Sequence, residues 1–364
     1  MLMLSWAYAF ACDVPVFSYA IQHWKSDSYI AQVFHHGPLT SGDQQMVSLL
    51  NTADNENGAL NIVVHAVDME APQDDGLMEL YATYLEGVSP GLLIHYPAAV
   101  RIRRPVYAGP LQESALRRLV DSPARRELVK RLLRGDMAVW ILLESGDRRA
   151  DNEAARTLET ELARMARVLQ LPAKDRWVWS EDMDAEQGVR FSMLRIRRDA
   201  PEEEMLVRML IESEPDLAER ADAPMAFPVY GRGLVLYALV GAGINEWTIA
   251  DACEFVIGPC SCQVKASNPG TDLLLAMDWD RHIRSDTYSG LPAAAGLAEF
   301  FDRGEEAAAR LAALDAPDVD DAGSAITKTS DTKRKVWVYI AITVPMTALL
   351  ARYLLYLLQR INRE

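Results

Sequence analysis

The sequence predicts an α/β protein made of two tandem units, each a mixed sheet flanked by helices, followed by a C-terminal transmembrane helix. Three observations predict it. Short strands alternate with amphipathic helices between residues 29 and 259, the pattern of sheets covered by helices. The order of these elements repeats weakly in two halves. An uncharged apolar run fills Val336–Ala351 and continues past Arg352 to Leu358, enough to span a bilayer at about 20 residues.

The first half reads strand "YIAQVFHH" (29–36), helix "SGDQQMVSLLNTA" (41–53), strand "ALNIVVHAVD" (59–68) and the short helix "GLMELYATYLEG". Next comes "VSPGLLIHYPAAVRIRRPVYAGPLQESALRRLVDSP", with a strand opened by Pro90, a second strand and an amphipathic helix carrying Leu116, Leu119 and Val120 inward. The second half runs "MAVWILLES" (137–145), the long helix "ADNEAARTLETELARMARVL" (150–169), strand "VRFSMLRIRR" (189–198) and helix "EEEMLVRMLIES" (202–213). Pro224 then opens a strand, Gly231-Arg232-Gly233 makes a tight turn into another, glycine ends it, and an amphipathic helix follows.

The organisation expected is a segment 1–11, a first unit with its connecting helix over 12–134 and a second unit over 135–262. A helical extension (263–314), an acidic and polar tether (315–335) and the spanning helix (336–358) complete the chain. "MLMLSWAYAFAC" is apolar and ends in Ala9-Phe10-Ala11, a signal-peptidase pattern. Cleavage there leaves Cys12 at the mature N-terminus, with lipidation a minor alternative. Trp337, Tyr339, Tyr353 and Tyr356 suit the headgroup belts. The expectation is a single-pass membrane protein with its bulk on the extracytoplasmic side. A balance of 37 basic against 52 acidic residues, net −15, argues against nucleic acid as a partner.

The β-α-β-α-β-β-α order, carried by "SPGLLIHYP…VYAGPLQESALRRLV" and "APMAFPVYGRGLVLYALVGAGINEWTIADACEFV", resembles the thioredoxin fold over residues 29–123 and 135–259. In that resemblance Pro90 and Pro224 match the family's cis-proline. Thioredoxins carry Cys-x-x-Cys after the first strand, whereas here those places read "HHGPLTSGD" and "ESGDRRAD", without cysteine. His36-Gly37-Pro38-Leu39 resembles a Cys-Gly-Pro-Cys site with both thiols replaced. Redox-inactive units of this kind imply a binding or scaffolding protein without cofactor. Its protein or peptide partner would be held beside Ser89-Pro90-Gly91 and Ala223-Pro224-Met225.

"CEFVIGPCSC" holds three of the four cysteines. Cys260 and Cys262 could form a strained exchanging pair, which makes a thiol-disulfide oxidoreductase the alternative function. Cys12, Cys253, Cys260 and Cys262 are equally candidates for structural bridges. A metal site would need His282, the nearest histidine, and no metal is expected. A structural subunit of a membrane complex is the third reading. Gly241-x-Gly243 imitates a dinucleotide fingerprint, but Glu246 replaces its third glycine, so Asn245 is read as a helix cap. His36 and His65 could approach across parallel strands, with His95 further off, and Asp278-Trp279-Asp280 reads as a turn with a buried ring.

Overall fold

A computed structural model describes residues 14–51, 60–71, 73–100, 102, 104–172, 188–260, 265 and 268–284. The expected signal segment, Cys12, Cys262, the tether and the 336–358 span lie outside them. Among the described residues no helix is long and apolar enough to cross a membrane.

The chain opens with α1 (Val16–His23), then β1 (Tyr29–His35), α2 (Ser41–Leu50), β2 (Ile62–Asp68), α3 (Asp75–Tyr84), β3 (Gly91–His95), β4 (Tyr107–Pro110) and α4 (Glu113–Val120). The connector α5 (Pro123–Leu133) leads to β5 (Ala138–Glu144), α6 (Arg148–Val168), β6 (Phe191–Arg197) and α7 (Glu204–Ile211). The remainder is β7 (Met225–Tyr230), β8 (Leu234–Val235), β9 (Leu239–Val240), α8 (Glu246–Ile257) and α9 (Trp279–Arg284).

These strands form two mixed sheets flanked by helices, an arrangement compatible with thioredoxin-like units. The first has the order β2-β1-β3-β4 and the second β6-β5-β7-β8, with β9 also on β7. In both, the first two strands run parallel and the central pair antiparallel: β1 with β2 and β3, β5 with β6 and β7. Parallel pairs need a covering crossover, and α2 and α6 supply it. The expected single strand after Gly233 is broken into β8 and β9. Leu236 N–H instead donates to Pro228 O at 2.9 Å, and Ala238 N–H to Glu214 at 2.7 Å. The helix expected over 202–213 is shorter, because Pro201 starts a 3₁₀ turn ahead of α7.

One apolar core runs through both halves, from Val33 and Ile94 to Trp140 and Phe227, all fully buried. A small second cluster of Phe34, Val67, Leu85 and Leu93 lies beneath α3 on the other face of the first sheet. Two segments join the halves. α1, first in sequence, packs on the second sheet and on α8: Pro15 bridges Pro259, and Val16 N–H donates to Gly258 O at 2.9 Å. Buried Arg232 binds the α1 carbonyls of Ile21 (2.7 Å) and Gln22 (3.1 Å) and pairs with Asp280 at 2.8 Å.

The second segment is the extended stretch 270–276, where a helical extension was expected. It bridges the second sheet at Leu234–Asp272 and the first at Leu60–Ala276. Asp272 is the knot. Its carboxylate accepts from Asp27 N–H at 2.7 Å and pairs with Lys265 at 3.1 Å, while its carbonyl accepts from Tyr29 Oη at 2.9 Å. Burial raises the Asp272 carboxyl above its ordinary range, opposed by Lys265. Arg125, fully buried, closes the seam from α5 by donating to the Leu119, Arg118 and Leu274 carbonyls. Desolvation pushes its guanidinium down to about 10.

Candidate functional site

The C-terminal ends of the two central parallel strands are where an open α/β sheet leaves its crevice. In the first half that end is open. β1 finishes at His35, Gly37 turns with φ +67°, and Thr40 starts α2 through a capping box with Asp43. The loop from His36 reaches the start of β3: His36 N–H donates to Ser89 Oγ at 3.3 Å. Tyr81 of α3 stands beside it, its ring 5.9 Å from the His36 imidazole and 5.7 Å from Phe34. Ser89 is exposed and Pro90 half-buried. The Ser89–Pro90 bond is cis. Gly91 has to be glycine, since a Cβ would lie 2.9 Å from Val88 O and 3.1 Å from the Leu85 side chain.

The matching end of the second half is closed. Asp147 caps α6 through Arg149 and Ala150 N–H, and buried Asp151 accepts from Ser145 N–H, Ser145 Oγ and Gly146 N–H at 2.8–3.0 Å. The expected cis-proline is corrected here: Ala223–Pro224 is trans. The backbone around it is held from two sides. Arg198 donates to Ala223 O at 3.3 Å, and Gly241 N–H donates to Pro224 O at 2.9 Å. Ala223 is half-buried, while Pro224 and Met225 are buried. Gly91, like Met225, is buried, so the two predicted contact stretches differ at their first two positions: Ser89 and Pro90 are each more exposed than Ala223 and Pro224.

The cysteines separate too. Cys253 is a free thiol on the inward face of α8. Burial raises it well above the ordinary thiol range, with Glu254 adding and Arg164 opposing. Cys260 is 2 % exposed beyond the helix end, where its N–H donates to Val14 O at 2.8 Å. Cys253 lies on the α6 side, beside Arg164 and Glu161, while Cys260 sits against the α1 entry; the other bridge candidates, Cys12 and Cys262, lie outside the described residues.

Other candidates resolve into structure. Asn245 caps α8 in a capping box with Thr248. His65 stands opposite Gln32 and His95 opposite Ile30, whereas His36 lies past the end of β1. His95 Nε2 is buried without a partner, and burial lowers the imidazole pKa. Trp279 is buried, Asp278 caps Arg281 N–H at 3.0 Å and Asp280 pairs with Arg232. His282 Nδ1 lies 2.7 Å from Asp278 O. Among the described residues no group of three or more His, Cys, Asp or Glu could hold a metal ion. Sequence reasoning missed Tyr81 as the neighbour of the first end. Its spacing from Leu77 and Tyr84 marked one face of α3, but only the fold brings that face to His36.

No protein-family model matches the chain, and no curated relative is found. Among solved structures, the crystal structure of full-length ERdj5 matches at 12 % identity with a TM-score of 0.18. The match covers 65 % of this chain and 30 % of that one.

Proposed function

We propose that the protein is a non-catalytic, membrane-anchored binding protein of thioredoxin-like units that holds an extended protein or peptide segment at the open end of its first sheet. The observation that carries this reading is the asymmetry of the two ends. Ser89 is exposed and Pro90 half-buried beside His36, which also meets Tyr81, while Ala223 is half-buried and Pro224 is covered. An extended partner laid along the residues that lead into β3 would meet backbone and hydroxyl groups at Ser89 and, past His36, the ring of Tyr81, a contact made through extended backbone. The exchanger alternative needs an accessible thiol pair, and burial of Cys260 weighs against it. Attachment to the membrane rests on the apolar run 336–358.

The test is photocrosslinking from position 89 and, separately, from position 223 of the full-length chain against a panel of extended peptides. Crosslinking from position 89 only is expected, and Ser89→Arg should lower capture at least fivefold while leaving the thermal midpoint unchanged. Equal labelling from both positions, or capture unmoved by the substitution, removes the reading.

A further inference from the structure

Helix α8 faces the core through Ile249, Ala252, Cys253, Val256 and Ile257. Its opposite crest carries Trp247, Asp251 and Glu254 at i, i+4 and i+7, which aligns them along the helix. All three are exposed, and Trp247 leaves 76 % of its surface to solvent. A large amphipathic ring held on a rigid helix and left uncovered is the kind of residue that anchors interfaces. The fold does not use its indole, since Asn245 caps α8 through the backbone N–H of Trp247 and Thr248.

The surroundings specify charge. α8 contains Glu246, Asp251 and Glu254 and no lysine or arginine. Arg164 of the neighbouring α6 lies near Glu246 but is paired with Glu161 at 2.6 Å. On the other flank exposed Phe255 meets the buried ring of Tyr230 edge-on at 6.3 Å, which ties that side of the helix to the core.

We propose that the α8 crest is a docking surface for a basic segment of a partner protein, with an arginine laid on the Trp247 ring and neighbouring cations on Asp251 and Glu254. A guanidinium over indole within about 6 Å gains cation–π attraction, and the carboxylates keep it oriented. A purely apolar partner would strand these carboxylates out of water, and an anionic lipid or phosphorylated partner would be repelled. The surface is separate from the open end of the first sheet.

The test uses the full-length chain in zwitterionic micelles and a fluorescent peptide of about 12 residues alternating arginine and serine, with a glutamate-for-arginine control, read by anisotropy. Trp247→Ala should weaken the arginine peptide about fivefold and Trp247→Phe less, while Asp251→Lys with Glu254→Lys should abolish binding. All these sites are exposed, so circular dichroism should be unchanged. Equal affinity for wild type and Trp247→Ala would mean that the net charge alone attracts the peptide, and would overturn the proposal. Binding that appears only after Lys333, Arg334 and Lys335 are neutralised would overturn it as well, by making the chain's own basic stretch the occupant.

Discussion

The two sheets share strand order and pairing, yet one is enclosed and the other is not. Every residue of β7 is buried, as are six of the seven in β5, whereas β1 alternates and β2 exposes His65 and Ala66. The difference comes from what covers them. The second sheet receives α1 in addition to its own helices, while the stretch 270–276 bridges to both sheets. The outer face of the first sheet has α3, with no fully buried residue, over a four-residue cluster. The same topology therefore serves as framework in one half and as accessible surface in the other.

The strongest way to break this comparison is to cut the seam. Arg125→Met leaves the Leu119, Arg118 and Leu274 carbonyls without their donor, and should cost about 3–5 kcal/mol from two or three buried acceptors left unpaired. Hydrogen–deuterium exchange followed by peptide mass at rising urea should then show β1 and β2 opening ahead of β5 and β7. A single transition with an unchanged midpoint would mean that the halves are not joined through Arg125.

A milder probe compares equivalent caps. Thr40 and Asn245 each complete a capping box, one in each half. Replacing either with alanine should cost about 1 kcal/mol. In the intact protein both should shift one common transition. If each shifts a different transition, the halves unfold independently even with the seam in place.

The smallest expected effect sharpens the contrast from the open side. Burial depresses His95 in the folded state, so the unfolded chain binds a proton more readily as pH falls. This contribution is full above the unfolded value of about 6.5 and is lost below it. Stability should decline from pH 7.5 to 5.5, and His95→Gln should flatten that slope. An identical slope in the variant would assign the decline to other groups.

Most of the sheet architecture was legible because it is written in local periodicity. The repeated order, the Pro90 turn into β3 and the Asn245 cap all depend on neighbours a few residues away. What was not legible depends on contacts across the chain. Arg125 and Arg126 look alike in "SPARRELV", yet one is fully buried among carbonyls and the other is exposed beside Asp121. Pro224 resembled Pro90 in its approach to a strand, and both carbonyls accept a backbone N–H, from Gly241 and Leu111, but Ala223 O is also bound by Arg198 from β6's far end. Trp247 was given no face from the sequence, and it is the packing of Ile249 and Val256 that turns it outward.

The attachment of α1 also has a consequence for synthesis. Val16, Phe17, Ala20 and Ile21 form an apolar face whose partners in β7 and α8 are encoded more than 200 residues later. At about 5–20 residues per second, that helix leaves the ribosome on the order of 10–50 s before its socket exists. Until then that face has no partner within the chain, and a stalled or truncated product would display it.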